Sequence, residues 1–283
     1  MIAILGGLGA ATVFATATLC SSRSARMIGA SPVLAWVMML GFLIVVPWAA
    51  VEGMPDGLDA ASVGWLVVAG LGNVLGLLLA YSALRIGKVG VVAPVVSTEG
   101  AIAAVISVIA GEQIARGVGL TLAVIAVGIV LAAATREGEA LSAQGIDWAV
   151  GLYAIGAAVS FGLSLYATAR VSAELPVVWA LLPARVVGVL AVAVPLALTS
   201  RLRLTRRALP LVVTSGIAEV AGFFLFAIGS RHGIAVTAVL ASQFGAIAGV
   251  AAFLLFRERL RMVQIIGVAM IVSGVSVLSV LQT

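Results

Sequence analysis

Ten stretches of about twenty apolar residues follow one another along this chain, separated by short segments that hold nearly all of its charge. They lie at 2–22, 31–51, 64–86, 89–110, 117–135, 147–169, 176–199, 209–230, 233–256 and 262–281. A helix that crosses a bilayer needs roughly 20 such residues. The stretches are apolar on every side, too long for core strands, and free of the alternation that marks a membrane barrel. In lipid a helix satisfies its own backbone donors and acceptors, which an irregular segment cannot do. Only 10% of the 283 residues are charged, with a mean hydropathy of +1.26, where a soluble domain carries about 25% charged residues. The sequence therefore predicts an all-α polytopic membrane protein of ten transmembrane helices, with no length left for a separate soluble domain. Trp48, Trp65 and Trp148 fall near predicted span ends, where amphipathic rings settle at the membrane interface.

The chain repeats itself. Gly100-Ala101-Ile102-Ala103-Ala104-Val105 reads like Gly245-Ala246-Ile247-Ala248-Gly249-Val250. Arg85 and Gly87 match Arg231 and Gly233, Gly9-Ala10-Ala11 with Phe14 matches Gly156-Ala157-Ala158 with Phe161, and Pro32-Val33 matches Pro176-Val177. Each pair lies 144–147 residues apart, about half the chain. A duplicated five-helix unit, 1–140 and 141–283, accounts for all of them. An odd number of helices per unit turns the second copy upside down. The net charge of +5 follows that plan. Loops after helices 1, 3, 5, 7 and 9 hold twelve basic residues (Arg23, Arg26, Arg85, Lys88, Arg136, Arg201, Arg203, Arg206, Arg207, Arg257, Arg259, Arg261), and the opposite loops hold Arg116, Arg170 and Arg231. Basic loops orient a membrane protein, so this charge needs no nucleic-acid partner. Inverted repeats are a recurring architecture of secondary transporters, with the substrate site near the midplane where the units meet.

Three charges interrupt the apolar spans: Glu99, Arg185 and Glu219. A charge at the bilayer centre costs roughly 2.5–3.5 kcal/mol on insertion scales and marks a functional site by default. Arg185 can neutralise either carboxylate, but two acids against one base leave a carboxylate to be met by a proton or by a cationic group of a ligand. Glu99 and Glu219 are thus the candidates for proton coupling. Asn73 lies 146 residues before Glu219 and has Gly76 three residues on, as Glu219 has Gly222 and Arg185 has Gly188. Three residues along is the same helix face, so these glycines either leave room beside a polar head or permit close helix packing. Thr98 and Glu99 follow Pro94 and Ser97 in the fourth span, and Ser242-Gln243 stands at the matching depth of the ninth. Pro94 lacks a backbone donor and frees a carbonyl in its helix. The expected substrate-binding set is Asn73, Thr98, Glu99, Arg185, Glu219, Ser242 and Gln243, suited to a small amine or zwitterion.

With its two five-helix units, the Ala83-Leu84-Arg85-Ile86-Gly87 turn, and the Gly111-Glu112 and Arg257-Glu258-Arg259-Leu260 turns before the last helix of each unit, the chain resembles the EamA-type ten-helix members of the drug/metabolite transporter superfamily. The likeness covers nearly the whole chain. It implies alternating access around a central cavity, with the last helix of each unit peripheral. It also implies export of a small organic metabolite, amine or amino acid, and a place in a bacterial inner (plasma) membrane. Small multidrug-resistance relatives use a carboxylate in the first helix, and this chain has none there, so their mechanism does not carry over. The resemblance implies that both termini are cytoplasmic, whereas the basic loops place both outside.

Other classes fit less well. The lone histidine, His232, falls at a helix junction, and Asp56, Asp59 and Asp147 fall in loops. No Ser–His pair at span depth and no metal-ligating set is apparent, which argues against an enzyme and implies neither a metal nor an organic cofactor. The single cysteine, Cys20, excludes an intrachain disulfide. The first apolar run has no basic segment before it and reads as a span rather than a signal peptide. A passive facilitator, channel or lipid scramblase is the alternative to a carrier, although no selectivity-filter signature is present. The expected partners are a small-molecule substrate, protons and the lipid bilayer. Two fused units make a monomer sufficient, and a dimer stays open.

Overall fold

The computed structural model describes residues 2–55, 58–110, 120–121, 124–125, 127–128, 131, 144–172, 175–230, 240–257 and 262–281. Eleven α-helices and one π-helical turn run through them, with no strand among the described residues. Among the described residues six helices are long and apolar enough to cross a membrane, and three shorter apolar helices accompany them. Many large apolar side chains point outward, Leu5, Leu43, Leu71, Leu198 and Phe253 among them. In water such a surface would drive association; on these helices it is the lipid-facing belt of an integral, multi-pass membrane protein.

Helix α1 (Ile2–Ile28) runs six residues past the expected end of the first span. The serines and arginines that read as loop stay helical because each finds a partner. Ser24 Oγ donates to Cys20 O at 2.8 Å, Ser22 Oγ to Leu84 O at 3.3 Å, and Arg26 to Leu84 O and Gly87 O. Gly29 ends it with φ 98°, a backbone region that favours glycine, and α2 (Ala30–Glu52) starts at the next residue. Helix α3 (Ala60–Ile86) begins four residues earlier than expected, because Asp59 caps it by accepting from Ser62 N–H at 2.8 Å.

The fourth span is two helices, α4 (Val89–Val96) and α5 (Glu99–Ile109), joined by a tight turn at Ser97-Thr98. Thr98 N–H bonds Val95 O, three residues back, instead of Pro94 O; the Ser97 hydroxyl donates to Pro94 O in its place, at 2.9 Å. The ninth span has the same kind of break. Residues 240–242 are helical, Gln243 N–H bonds Leu240 O, and a new helix, here α10 (Phe244–Phe256), follows. Between these lie α6 (Gln144–Ser172), α7 (Val177–Gly188), the π-helical turn Val189–Ala193, α8 (Val194–Leu198) and α9 (Leu209–Ser230). The wide turn precedes Pro195, which offers no backbone donor, and Val194 N–H reaches five residues back to Val189 O. Helix α11 (Met262–Leu281) ends the described chain. Most of the expected fifth span, and with it Gly111, Glu112, Arg116 and Arg136, lies outside the described residues, as do Asp56, Arg231, His232, Gly233, Glu258, Arg259, Leu260 and Arg261.

Helices from the two halves pair closely. α1 lies along α9, α3 along α6, α2 against α7, and α4 against α10. Glycines set these spacings. A Cβ on Gly6 would stand 2.7 Å from Gly229 Cα, and one on Gly72 2.8 Å from Ser160 O. Such close backbone approach is how helices associate in lipid, where no hydrophobic force drives them together. Gly128 packs on Gly267 and Ile271 of α11, and Ile125 on its Gly274, away from the α1–α9 and α3–α6 seams.

Candidate functional site

One face of α3 carries Asn73, Leu77, Ala80, Tyr81 and Leu84 at helical spacing. One face of α9 carries Glu219, Phe223 and Phe226 in the same manner. These two faces, with Phe14 of α1, Phe161 and Ser164 of α6, and Phe244 of α10, enclose a cavity of ≈ 140 Å³. Glu99 and Gly100 enter it from the break between α4 and α5, and Ser242 from the break before α10. A side chain added at Gly100 would meet open space. Phe14 ties the wall together, with its ring edge-on to Phe223 at 5.3 Å and to Phe244 at 6.2 Å between centroids.

Behind one wall Arg185 of α7 forms an ion pair with Glu219 through Nη1 and Oε2, both side chains almost fully buried. Arg185 does not line the cavity. Its Nη1 also points at Met38 Sδ, 3.7 Å away, and its guanidinium lies 6.0 Å from the centroid of the Phe223 ring. Gly41 of α2 makes the space: a Cβ there would sit 2.7 Å from Arg185 Cδ. The pair satisfies charge but not hydrogen-bond direction. Both Glu219 carboxylate oxygens, Arg185 Nε and Asn73 Oδ1 have no hydrogen-bond partner among the described residues. On the same wall Tyr81 is hydrogen-bonded to Ser21 and Ser215, whose hydroxyls are 2.5 Å apart.

Glu99 stands differently. It is half-buried, is the first residue of α5, and has no ion pair among the described residues. The N-terminus of α5 favours a negative charge at this position. Of the expected residues, Asn73, Glu99, Glu219 and Ser242 line the cavity. Arg185 stands behind it. Thr98 is buried with Oγ1 donating to Val95 O at 2.7 Å, and Gln243 Nε2 donates to Ser276 Oγ at 3.0 Å, so these two serve the helix breaks and the contact with α11.

The glycines beside the polar residues hold neighbouring side chains. A Cβ at Gly76 would lie 2.6 Å from Phe161 Cδ1, one at Gly222 would run into the Phe14 ring, and one at Gly188 into Met38. Sequence reasoning missed the aromatic wall and Tyr81. The signal was the helical stride from the polar anchors: Tyr81 lies two turns from Asn73, and Phe223 one turn from Glu219.

The EamA-like transporter family model matches residues 1–134. No curated protein matches the chain. A crystal structure of a protein is similar over 99% of this chain and 98% of its own, with a TM-score of 0.64 at 20% identity, a likeness of fold alone. Residues 1–134, just under half of the chain, are thus similar to the EamA-like transporter family, which supports a membrane transporter in general.

Proposed function

We propose that the protein is a secondary carrier that moves a small organic solute by alternating access, through two inverted five-helix units, 1–140 and 141–283, that enclose the cavity between them. The single observation that carries this reading is the cavity itself, lined from both halves of the chain and containing one intramembrane carboxylate, Glu99, without a protein counter-charge among the described residues. A buried charge of this kind in lipid is costly and belongs to a transport path more readily than to packing.

Equivalent contacts recur across the proposed units. Phe14 sits on Gly222 and Phe161 on Gly76, each pair joining a first helix to a third helix of the other unit. Ser164 Oγ donates to Ala69 O, and Ser215 Oγ to Ala17 O, at positions 146–147 residues apart. The breaks at Ser97-Thr98 and Gln243 place irregular backbone beside the cavity, where lipid does not reach it.

In this mechanism Glu99 binds either a proton or the solute, which couples the two fluxes. Ser242 and Asn73 orient the solute, and the Arg185–Glu219 pair holds α7 and α9 together. The test is uptake of radiolabelled amines and amino acids into proteoliposomes, with and without a pH gradient. A carrier gives saturable flux, and Glu99→Gln abolishes its dependence on the gradient. Non-saturable conductance would instead identify a pore, and unchanged gradient dependence would remove Glu99 from coupling.

A further inference from the structure

The cavity's unmet chemistry is one-sided. Among the described residues its lining contains two carboxylates and no lysine or arginine. Arg185 stands outside the lining and is already committed to Glu219. Among the described residues Glu99 is therefore the lining carboxylate without a counter-charge. Asn73 Oδ1 and the Glu219 carboxylate oxygens have no hydrogen-bond partner among the described residues, but they are buried within the wall, as Arg185 Nε is behind it. Among the described residues the lining offers hydroxyl and amide donors but no cation to a carboxylate on a ligand. A group with N–H donors and one positive charge answers Glu99.

Most of the rest of the wall is apolar, with Thr18, Tyr81, Ser164 and Ser242 as its polar members. Six aromatic rings contribute to it, Phe226 and Phe244 among them. Ring faces attract a cation by their quadrupole, and aromatic cages are the usual receptors for ammonium groups. The size is decisive for the ligand's body. A dry cavity of about 150 Å³ holds one benzene ring, and this one measures ≈ 140 Å³.

We infer that the cavity is a site for a monocationic amine carrying a single aromatic or similarly sized apolar ring, selected against the corresponding amino acid and carboxylate, with Glu99 as the counter-charge. The inference rests on the carrier reading for its transport consequence, but not for binding.

A matched series tests it: 2-phenylethylamine, phenylalanine and 3-phenylpropionate, which share a ring and differ in charge. Thermal stabilisation of the purified protein in detergent reads binding, since a ligand of the folded state raises the melting temperature by mass action. Flux above that of protein-free liposomes reads transport. The amine is expected to bind at least tenfold more tightly than either competitor. Glu99→Gln is expected to erase that preference, and Phe226→Leu to weaken amine binding several-fold with the charge preference intact. The second variant keeps the test open should Glu99→Gln fail to fold. Equal or tighter binding of phenylalanine or phenylpropionate, no stabilisation by the amine, or a preference that survives in Glu99→Gln overturns the inference. The two readings fail separately. Amine binding without protein-dependent flux ends the carrier reading and leaves the amine site. Saturable flux that favours phenylalanine ends the amine site and leaves the carrier.

Discussion

Arg185 and Glu219 show how two charges persist where neither is tolerated alone. Each is buried almost completely, and each is the other's compensation. Removing one partner strands the other, which costs about 3–5 kcal/mol at buried pairs, whereas replacing both by apolar groups of similar volume is often close to neutral. Glu219→Gln or Arg185→Met alone is therefore expected to lower the unfolding temperature sharply, while the double variant Arg185→Met, Glu219→Leu recovers most of the loss. Thermal unfolding of the four proteins in one detergent checks this. A double variant no more stable than the singles would show that the pair does more than neutralise itself. The sequence displayed all three intramembrane charges but left Arg185 two possible partners, because the choice depends on which faces of α7 and α9 meet. That is decided by Gly41 and Met38 of α2, which receive the arginine side chain, and no local pattern around Arg185 contains them.

At the scale of the element, helix ends and breaks carry the information. Asp59 starts α3, and its bond from Ser62 holds its carboxyl below the ordinary carboxylate pKa. A depressed pKa means that the folded state binds the proton less readily than the unfolded one. The cap's contribution is thus present above the unfolded carboxylate's pKa and is lost as pH falls through the folded one. Asp59→Ala is expected to melt lower than wild type at neutral pH, with the gap closing as the solution is taken below the carboxylate range; a gap that does not depend on pH would exclude the charged cap.

The break at Ser97-Thr98 depends on a neighbour. A Cβ on Gly245 would lie 2.5 Å from Ser97 Oγ and 2.8 Å from Ala93 O, so α10 passes directly over the turn. Overpacking of this kind costs typically 1–3 kcal/mol. Gly245→Ala is expected to cost about that much and to slow transport more than Gly64→Ala, whose site on α3 is open, when flux is compared at equal protein density. Pro94 made a local disturbance legible in advance, and the position of Ser242-Gln243 made its counterpart legible. The direction in which Gln243 turns was not, since it answers to Ser276 Oγ, an acceptor presented by packing against α11, whereas Thr98 bonds back to Val95 O in its own turn.

Across the molecule, most of the described basic residues that separate the spans also sort to one face. Arg26 binds the last carbonyls of α3, Arg23 lies 5.4 Å over the ring of Phe256 at the end of α10, and Arg203 O accepts from Trp36 near the start of α2. The loops after the first, third, seventh and ninth spans therefore share a side, opposite the end of α2, where Gly53 O accepts from Trp179. The alternation of charged loops was legible as a count, and the shared face follows from helices that cross and return. Part of this charge caps helix C-termini, where cations are favoured, but the exposed Arg201, Arg206 and Arg207 make no such contact among the described residues and are free to orient the chain. Positive loops stay in the cytoplasm, so this face is expected to be cytoplasmic and the N-terminus outside, against the orientation that the family resemblance implies. Cys20 is the lone cysteine, which makes the check direct. In a Cys20→Ala background, Thr205→Cys is expected to resist a membrane-impermeant maleimide in intact cells and to react after lysis, while Glu52→Cys reacts from outside. The reverse labelling would put both termini in the cytoplasm, and would mean that the arginines along this face serve helix capping and solute attraction more than topology.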